Sequence, residues 1–199
     1  MSTVPSRPDW SDRRVIIVAS GKSALRANVR DVRERVPDAI WVAVNLSIAL
    51  VPWADVMYAG DGQFWSYYGP HVRYPARKFC AQGTPYPQHV ETLRVTDNAD
   101  WSAIWPYVGN LGNSGAHALN IALLAGARDI ALVGFDMAGM HWHPDHMSLI
   151  NANDRMLSKW AERFRTFDGV NIANCSPVSR IKCYPVMTLT DWANAGIPS

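Results

Sequence analysis

The sequence predicts an α/β fold with a doubly wound, mainly parallel sheet. Short continuous apolar runs, such as residues 15–19, are typical of strands that are covered on both faces. These runs alternate with helix-like segments, and that alternation requires parallel pairing through crossover connections. Most of the runs end in a polar residue, so we expect polar side chains to meet at one edge of the sheet.

Length and composition indicate one domain and restrict its partners. With 199 residues and 48% hydrophobic content, the chain can bury one core, so we assign 14–199 to a single domain after a flexible lead-in at 1–13. A net charge of +2 argues against a surface that coats polyanions. We find no apolar run long enough to span a bilayer and no secretory signal, and we expect a cytoplasmic protein with reduced cysteines.

The first unit along the chain is a strand, a turn and a helix. Residues 15–19 form the β-branched strand, and Ser20-Gly21-Lys22-Ser23 interrupts it. Residues 24–36 then have the pattern of an amphipathic helix that ends before Pro37.

Two further strands and a short helix follow. Residues 39–45 are apolar up to Asn45, and residues 54–61 are apolar up to Asp61. Residues 63–68 predict a short helix whose aromatic rings either pack as a lid or offer faces to an acceptor.

The centre of the chain carries two short strands and a loop of small residues. We predict the strands at 78–81 and 92–96. The loop at 109–115 leads into residues 116–127, which are apolar nearly all round and therefore predict a buried helix.

The carboxyl-terminal part starts with a strand that ends in a carboxylate. Residues 130–136 form this strand and finish at Asp136. A long helix is predicted at 147–167 and a last strand at 170–174. We predict no regular element in the tail that follows.

Ligands of open α/β sheets bind at the carboxyl ends of the strands, next to helix N-termini. The turn at Gly21 either approaches a phosphate, with Ser23 capping the helix and Lys22 adding charge, or is a simple connection. Asn113 and Ser114 either cap a helix or form an anion site. The candidate nucleotide-binding residues are Ser20, Gly21, Lys22, Ser23, Asn45, Asp61, Asn113, Ser114, Gly115 and Asp136.

Three histidines lie within six positions, at His141, His143 and His146, after the strand that ends at Asp136. Histidines and carboxylates are ligands of zinc and other metals, and a histidine at a cleft is a common general base. The spacing matches no recognised closed metal site. Metal binding, acid–base chemistry and a solvated loop all stay open on these residues.

The order of motifs resembles the sialyltransferases of glycosyltransferase family 42 and the related archaeal 6-hydroxymethylpterin diphosphokinase-like proteins, whose compact members are often phage-encoded. The resemblance is carried by SGKSAL, by NSGAHALNIALLAGARDIALVGFDM and by NCSPVSRIKCYP. It runs from about Val15 to Pro185 and implies a Rossmann-like domain.

The sialyltransferase resemblance implies transfer of a sugar from a CMP-sugar type donor by direct displacement, with no metal. Asn45 would face the cytidine-sugar moiety, and Ser114 with Gly115 would hold the phosphate. His146 would be the base, with His143 as second choice, and Tyr184 would assist departure of the nucleotide. The acceptor is not identified, and related enzymes often form symmetric oligomers, which makes a homo-oligomer an expectation.

Two alternatives stay open beside this reading. The diphosphokinase resemblance implies a phosphotransfer enzyme that uses ATP and magnesium, with Asp61 and Asp136 as ligands of the ion. The third reading is a phage-type protein that binds a nucleotide without turnover.

Overall fold

A computed structural model describes residues 4–69, 73–81, 89–144 and 152–196 of the chain. One eight-stranded sheet forms the centre of the molecule, with helices on both sides. The strands are β1 (Arg14–Val18), β2 (Ile40–Val44), β3 (Val56–Ala59), β4 (Arg77–Ala81), β5 (Glu91–Val95), β6 (Tyr107–Val108), β7 (Asp129–Val133) and β8 (Asn171–Asn174). The helices are α1 (Val29–Arg35), α2 (Gly62–Tyr68), α3 (Ser114–Leu124), α4 (Asp154–Ala161) and α5 (Leu189–Asn194).

The order of the strands confirms the doubly wound, parallel sheet. Across the sheet the order is β6-β5-β4-β3-β2-β1-β7-β8, and each described pairing is parallel. The chain extends outward from β1 to β6 and then returns to place β7 on the other side of β1. A crevice is expected at such a reversal, here between β1 and β7.

Burial on both faces explains the continuous apolar runs. All five residues of β1 are buried, with Val15 and Ile17 in the core layer that includes α3. Ile16 and Val18 point into the opposite layer, which includes Phe64 of α2. Because both faces of the strand are covered, its sequence shows no alternation of polar and apolar residues.

The prediction of one continuous helix at 24–36 is wrong, because two separate elements occupy this segment. A 3₁₀ turn spans Lys22–Arg26, and α1 begins only at Val29. Asn28 separates the two with a φ of 48°, in the left-handed region that asparagine tolerates better than most residues. The polar pattern continues through this break, which is why the sequence suggested a single helix.

The long helix predicted at 147–167 is also too long. Residues 145–151 lie outside the described part, and α4 ends at Ala161. After α4 the backbone forms bonds between residues three apart. Arg163 N–H donates to the Trp160 carbonyl 3.2 Å away, and Phe164 N–H donates to the Ala161 carbonyl 3.4 Å away. This turn brings Phe164 into the core, where it meets Phe135 and Tyr184 edge to face.

One strand, one α-helix and a 3₁₀ turn at Asn45–Ala49 were not expected from the sequence. The short strand β6 extends the sheet beyond β5, and α5 lies in the tail, where Thr188 Oγ1 caps it by accepting from Asp191 N–H at 3.0 Å. Near the start of the chain, Trp10 is buried and its backbone N–H donates to the Ala125 carbonyl at 2.7 Å, although residues 4–13 contain no helix or strand.

Candidate functional site

A cavity of about 670 Å³ opens at the carboxyl ends of the central strands. Loops after β1, β2, β3 and β7 line it, together with the start of α3 and one face of α4. Of the ten predicted nucleotide-binding residues, those that line the cavity are Ser20, Gly21, Asn45, Asp61, Asn113, Ser114, Gly115 and Asp136.

The loops after β1 and β7 are fastened together beside the cavity. Gly21 N–H donates to the Gly134 carbonyl at 2.9 Å, and a Cβ on Gly21 would lie 2.5 Å from Asp136 Cγ, so only glycine fits. Ser23 donates its N–H at 3.0 Å to one carboxylate oxygen of Asp136 and its hydroxyl to the other. Ser23 is therefore not the helix cap that we predicted. Lys22 is exposed and, like Ser23, lies outside the cavity lining.

The start of α3 is a set of hydrogen-bond donors that face no acceptor among the described residues. Asn113 Oδ1 caps the helix by accepting from Ala116 N–H at 2.8 Å, as the sequence suggested, and its Nδ2 is buried without a described partner. Ser114 Oγ accepts from Gly60 N–H at 3.2 Å, so its own proton stays available. The N–H groups of Ser114 and Gly115 belong to the unsatisfied first turn of the helix.

The described lining of the cavity contains carboxylates and no lysine or arginine. Asp61 and Asp136 both line it. All 19 lysines and arginines lie within the described residues, and none of them is in the described lining. An anion in this cavity would therefore be held by neutral donors at a helix N-terminus, a known mode of phosphate binding.

The sequence did not lead us to predict His117, a buried histidine close to Ser114. His117 is on α3 and lines the cavity, and its Nδ1 is 2.7 Å from the Tyr58 hydroxyl oxygen. Burial lowers the pKa of His117 to about 4, so the ring is neutral near pH 7. A Cβ on Gly60 would lie within 3.5 Å of polar atoms of Tyr58, Ser114 and His117.

The sequence held a signal for a polar role of these two residues, because His117 and Asn120 are three residues apart in an otherwise apolar predicted helix, although only His117 lines the cavity. Residues at that spacing share one face of a helix. Asn120 is fully buried, and its Oδ1 accepts from Ser102 N–H at 3.0 Å and from Gly109 N–H at 2.8 Å.

The histidine-rich loop lies against the first loop. Gly21 and His141 form an isolated antiparallel bridge, and Trp142 N–H donates to the Ser20 carbonyl at 3.0 Å. His141 lines the cavity and stacks on His143, with ring centroids 5.0 Å apart. His143 is buried outside the lining, and its Nδ1 is 2.8 Å from the Pro144 carbonyl oxygen.

None of the three predicted catalytic residues is in the described lining of the cavity, and His143 lies outside it. His146 lies outside the described residues. Tyr184 is buried in the core, away from the cavity lining, and its hydroxyl donates to the Arg165 carbonyl at 2.7 Å. Burial raises the pKa of Tyr184, so the hydroxyl stays protonated.

Both predicted magnesium ligands accept hydrogen bonds from the protein. Asp61 Oδ1 accepts from Gln63 N–H at 2.8 Å, where it caps α2, and both oxygens of Asp136 accept from Ser23. Within the described ranges, no group of three or more His, Cys, Asp or Glu side chains is placed to hold a metal ion, whereas magnesium in phosphotransfer sites is held by one or two carboxylates and the substrate phosphates.

Comparison with known proteins identifies the architecture. No protein-family model matches the chain, and no curated protein does. A solved structure matches with a TM-score of 0.60 and 12% identity: the MAf glycosyltransferase from Magnetospirillum magneticum AMB-1. The two chains share a fold. The match covers 94% of this chain and 35% of that one, so this chain spans about a third of the larger protein.

At this level of identity the likeness establishes the fold alone. It confirms the predicted Rossmann-like α/β class, and it leaves family 42, a phage origin and the individual site residues as predictions. In the described part of the chain, none of the helices is both long and apolar enough to cross a membrane.

Proposed function

We propose that the chain is a glycosyltransferase-like enzyme that transfers a sugar from a nucleotide-activated donor to an acceptor hydroxyl. The observation that carries this proposal is the group of neutral donors at the start of α3, on the floor of a cavity at the carboxyl ends of parallel strands. The fold shared with a glycosyltransferase supports it. The cavity volume of about 670 Å³ falls within the usual range for small-molecule sites.

The charge of the cavity supports a donor of the CMP-sugar type. The linkage in such a donor is a single phosphodiester, with one negative charge between the nucleoside and the sugar. A sugar linked to a nucleoside diphosphate has two charges, and these are normally balanced by arginine, lysine or a metal ion. Two carboxylates and no described cation line this cavity, so the smaller charge fits better.

In the proposed reaction a histidine of the loop 141–146 removes the proton of the acceptor hydroxyl. The oxygen attacks the anomeric carbon of the donor, the bond from that carbon to the phosphate oxygen breaks, and the nucleoside monophosphate leaves with the electron pair. The donors of Asn113, Ser114 and Gly115 would stabilise the charge that develops on the phosphate. His146 remains our first choice for the base and His143 the second.

His141 joins the candidates for the base because it lines the cavity. Alanine variants of His141, His143 and His146 distinguish them. The base is the residue whose loss lowers kcat by about 10²-fold or more while the affinity for CMP is unchanged. If no variant has this effect, the base does not come from this loop.

The first test is thermal stabilisation of the protein by CMP, CDP, UDP, GDP and ATP and by their sugar conjugates, each with EDTA and with magnesium. A hundredfold excess of a specific ligand over its Kd adds about 2.7 kcal/mol to the free energy of unfolding. We expect a shift with CMP that survives EDTA and is lost in Ser114→Ala. Ser66→Ala, an exposed serine outside the lining, is the control.

Other outcomes favour the alternatives. A shift only with ATP and magnesium would support phosphotransfer. CMP binding without turnover of any donor would support a nucleotide-binding protein. No shift with any nucleotide would contradict the site itself.

A further inference from the structure

Trp160 is the tryptophan of this chain that lines the cavity. All nine tryptophans lie within the described residues, and the other eight are outside the described lining. Trp160 is half-buried on α4, one turn after Leu157, which also lines the cavity. Residues three apart share a helix face, so α4 presents an apolar and aromatic wall to the site.

The indole is held directly against the loop that leads into α3. Gly112 has a φ of 82°, and a Cβ there would lie 2.4 Å from Trp160 Nε1. Glycine therefore meets both a conformational requirement and a close approach at this point. Asn113, the next residue, is the first of the donors at the start of α3, so the indole borders the proposed phosphate site.

The two flanks of the donor group differ in chemistry. On one flank, Gly60 N–H is bonded to Ser114 Oγ, and Asp61 and Asn45 follow along the strand ends. This polar flank suits a nucleoside, whose base and ribose carry many hydrogen-bonding atoms. The other flank is the wall formed by Leu157 and Trp160, which offers an apolar surface with an N–H at its edge.

We propose that Trp160 is the platform for the transferred sugar of the donor, and so a residue that determines specificity for it. The C–H face of a sugar ring packs on an aromatic ring, and the indole N–H can reach a ring hydroxyl. A phosphodiester donor has a nucleoside on one side and the sugar on the other, as the two flanks require. This inference rests on the proposed function.

The test compares the Kd of CMP with the Kd values of a panel of CMP-sugars, for the wild type, Trp160→Ala and Trp160→Phe. Trp53→Ala is the matched control, because Trp53 is half-buried and lies outside the lining. We expect Trp160→Ala to weaken binding of the preferred CMP-sugar by about tenfold or more and to leave the Kd of CMP unchanged. Trp160→Phe should retain part of the sugar contribution.

Retained CMP binding also shows that the Trp160→Ala variant is folded. If it fails to fold, Trp160→Phe carries the same comparison. Equal weakening of CMP and CMP-sugar would place the indole against the nucleoside and overturn the proposal, as would unchanged binding of both. If the wild type binds CMP but gains nothing from the sugar, only this inference fails. If the wild type binds neither, the proposed function fails with it.

Discussion

At the residue scale, His117 is a titratable side chain that lines the cavity and is uncharged near pH 7. The residue is only 8% exposed, and its ring shares a hydrogen bond with the Tyr58 hydroxyl. A charged imidazole would lose most of its hydration at this depth, and burial therefore lowers the pKa of His117 to about 4. A neutral ring adds no positive charge to the carboxylates of the cavity lining.

This shift predicts an acid-sensitive stability. Between about pH 6.5 and pH 4, His117 is protonated in the unfolded chain and neutral in the folded chain. The free energy of unfolding should therefore fall as the pH falls through this window, by about 3 kcal/mol from this residue. Urea unfolding at several pH values measures the slope.

The control is His117→Gln, which removes the titrating group. Its stability should change less between pH 6.5 and pH 4 than that of the wild type, whatever its stability at neutral pH. Identical slopes would show that His117 does not titrate at a lowered pKa.

At the scale of the element, the first turn of α3 has a helix cap and a cavity-lining donor in one side chain. The Oδ1 of Asn113 caps the helix, and the Nδ2 of the same amide is buried at the cavity. Asn153 caps α4 in the same way, by accepting from Met156 N–H at 3.0 Å, but lies outside the cavity lining. The two positions can therefore separate capping from binding.

Asn113→Asp should keep the cap and lose the ligand. Aspartate is as good an N-cap as asparagine, so we expect the free energy of unfolding to change by less than about 0.5 kcal/mol. The new carboxylate replaces a donor and repels a phosphate, so affinity for CMP should fall by at least about tenfold. Asn153→Asp is the matched control and should bind CMP normally. Normal CMP binding by Asn113→Asp would exclude the Asn113 amide from the phosphate site.

Across the whole molecule, a buried network around one ion pair connects the first strand, β7 and the last helix. Arg14 in β1 donates to Asp129 in β7 at 2.7 Å, with side chains 9% and 4% exposed. Trp192 of α5 donates its Nε1–H to the same carboxylate at 3.0 Å, and the Arg14 guanidinium lies 3.7 Å from the Trp192 ring centroid. This network fastens the carboxyl-terminal helix to the central strands.

Removal of one partner from this network should cost far more than removal of a surface charge. Asp129→Asn leaves Arg14 buried without its counter-ion, and we expect a loss of about 3–5 kcal/mol in the free energy of unfolding. Asp154→Asn breaks the exposed pair with Arg180 and should cost less than about 1 kcal/mol. Urea denaturation of both variants gives the comparison. Equal losses would show that the buried pair has no special weight.

Much of the fold could be predicted from local patterns. A strand covered on both faces must be apolar throughout, and this requirement made β1, β2, β3 and β7 recognisable in the sequence. The boundaries of α1 and α4 were not predictable in this way. Asn28 and the turn after Ala161 interrupt patterns that would equally suit a longer helix, and only packing of Phe164 in the core decides where the second one ends.

The sequence by itself determined the fold class and the edge of the sheet at which the site lies. Parallel strands place their carboxyl ends together, so the polar residues after each strand had to meet. Tertiary structure decided which polar residues face the cavity and which serve the scaffold. Asp136 and Ser23 bind each other, Tyr184 is buried in the core, and His117 and Trp160 reach the cavity from helices. Side-chain direction depends on contacts between segments distant in the chain, and local sequence patterns do not encode those contacts.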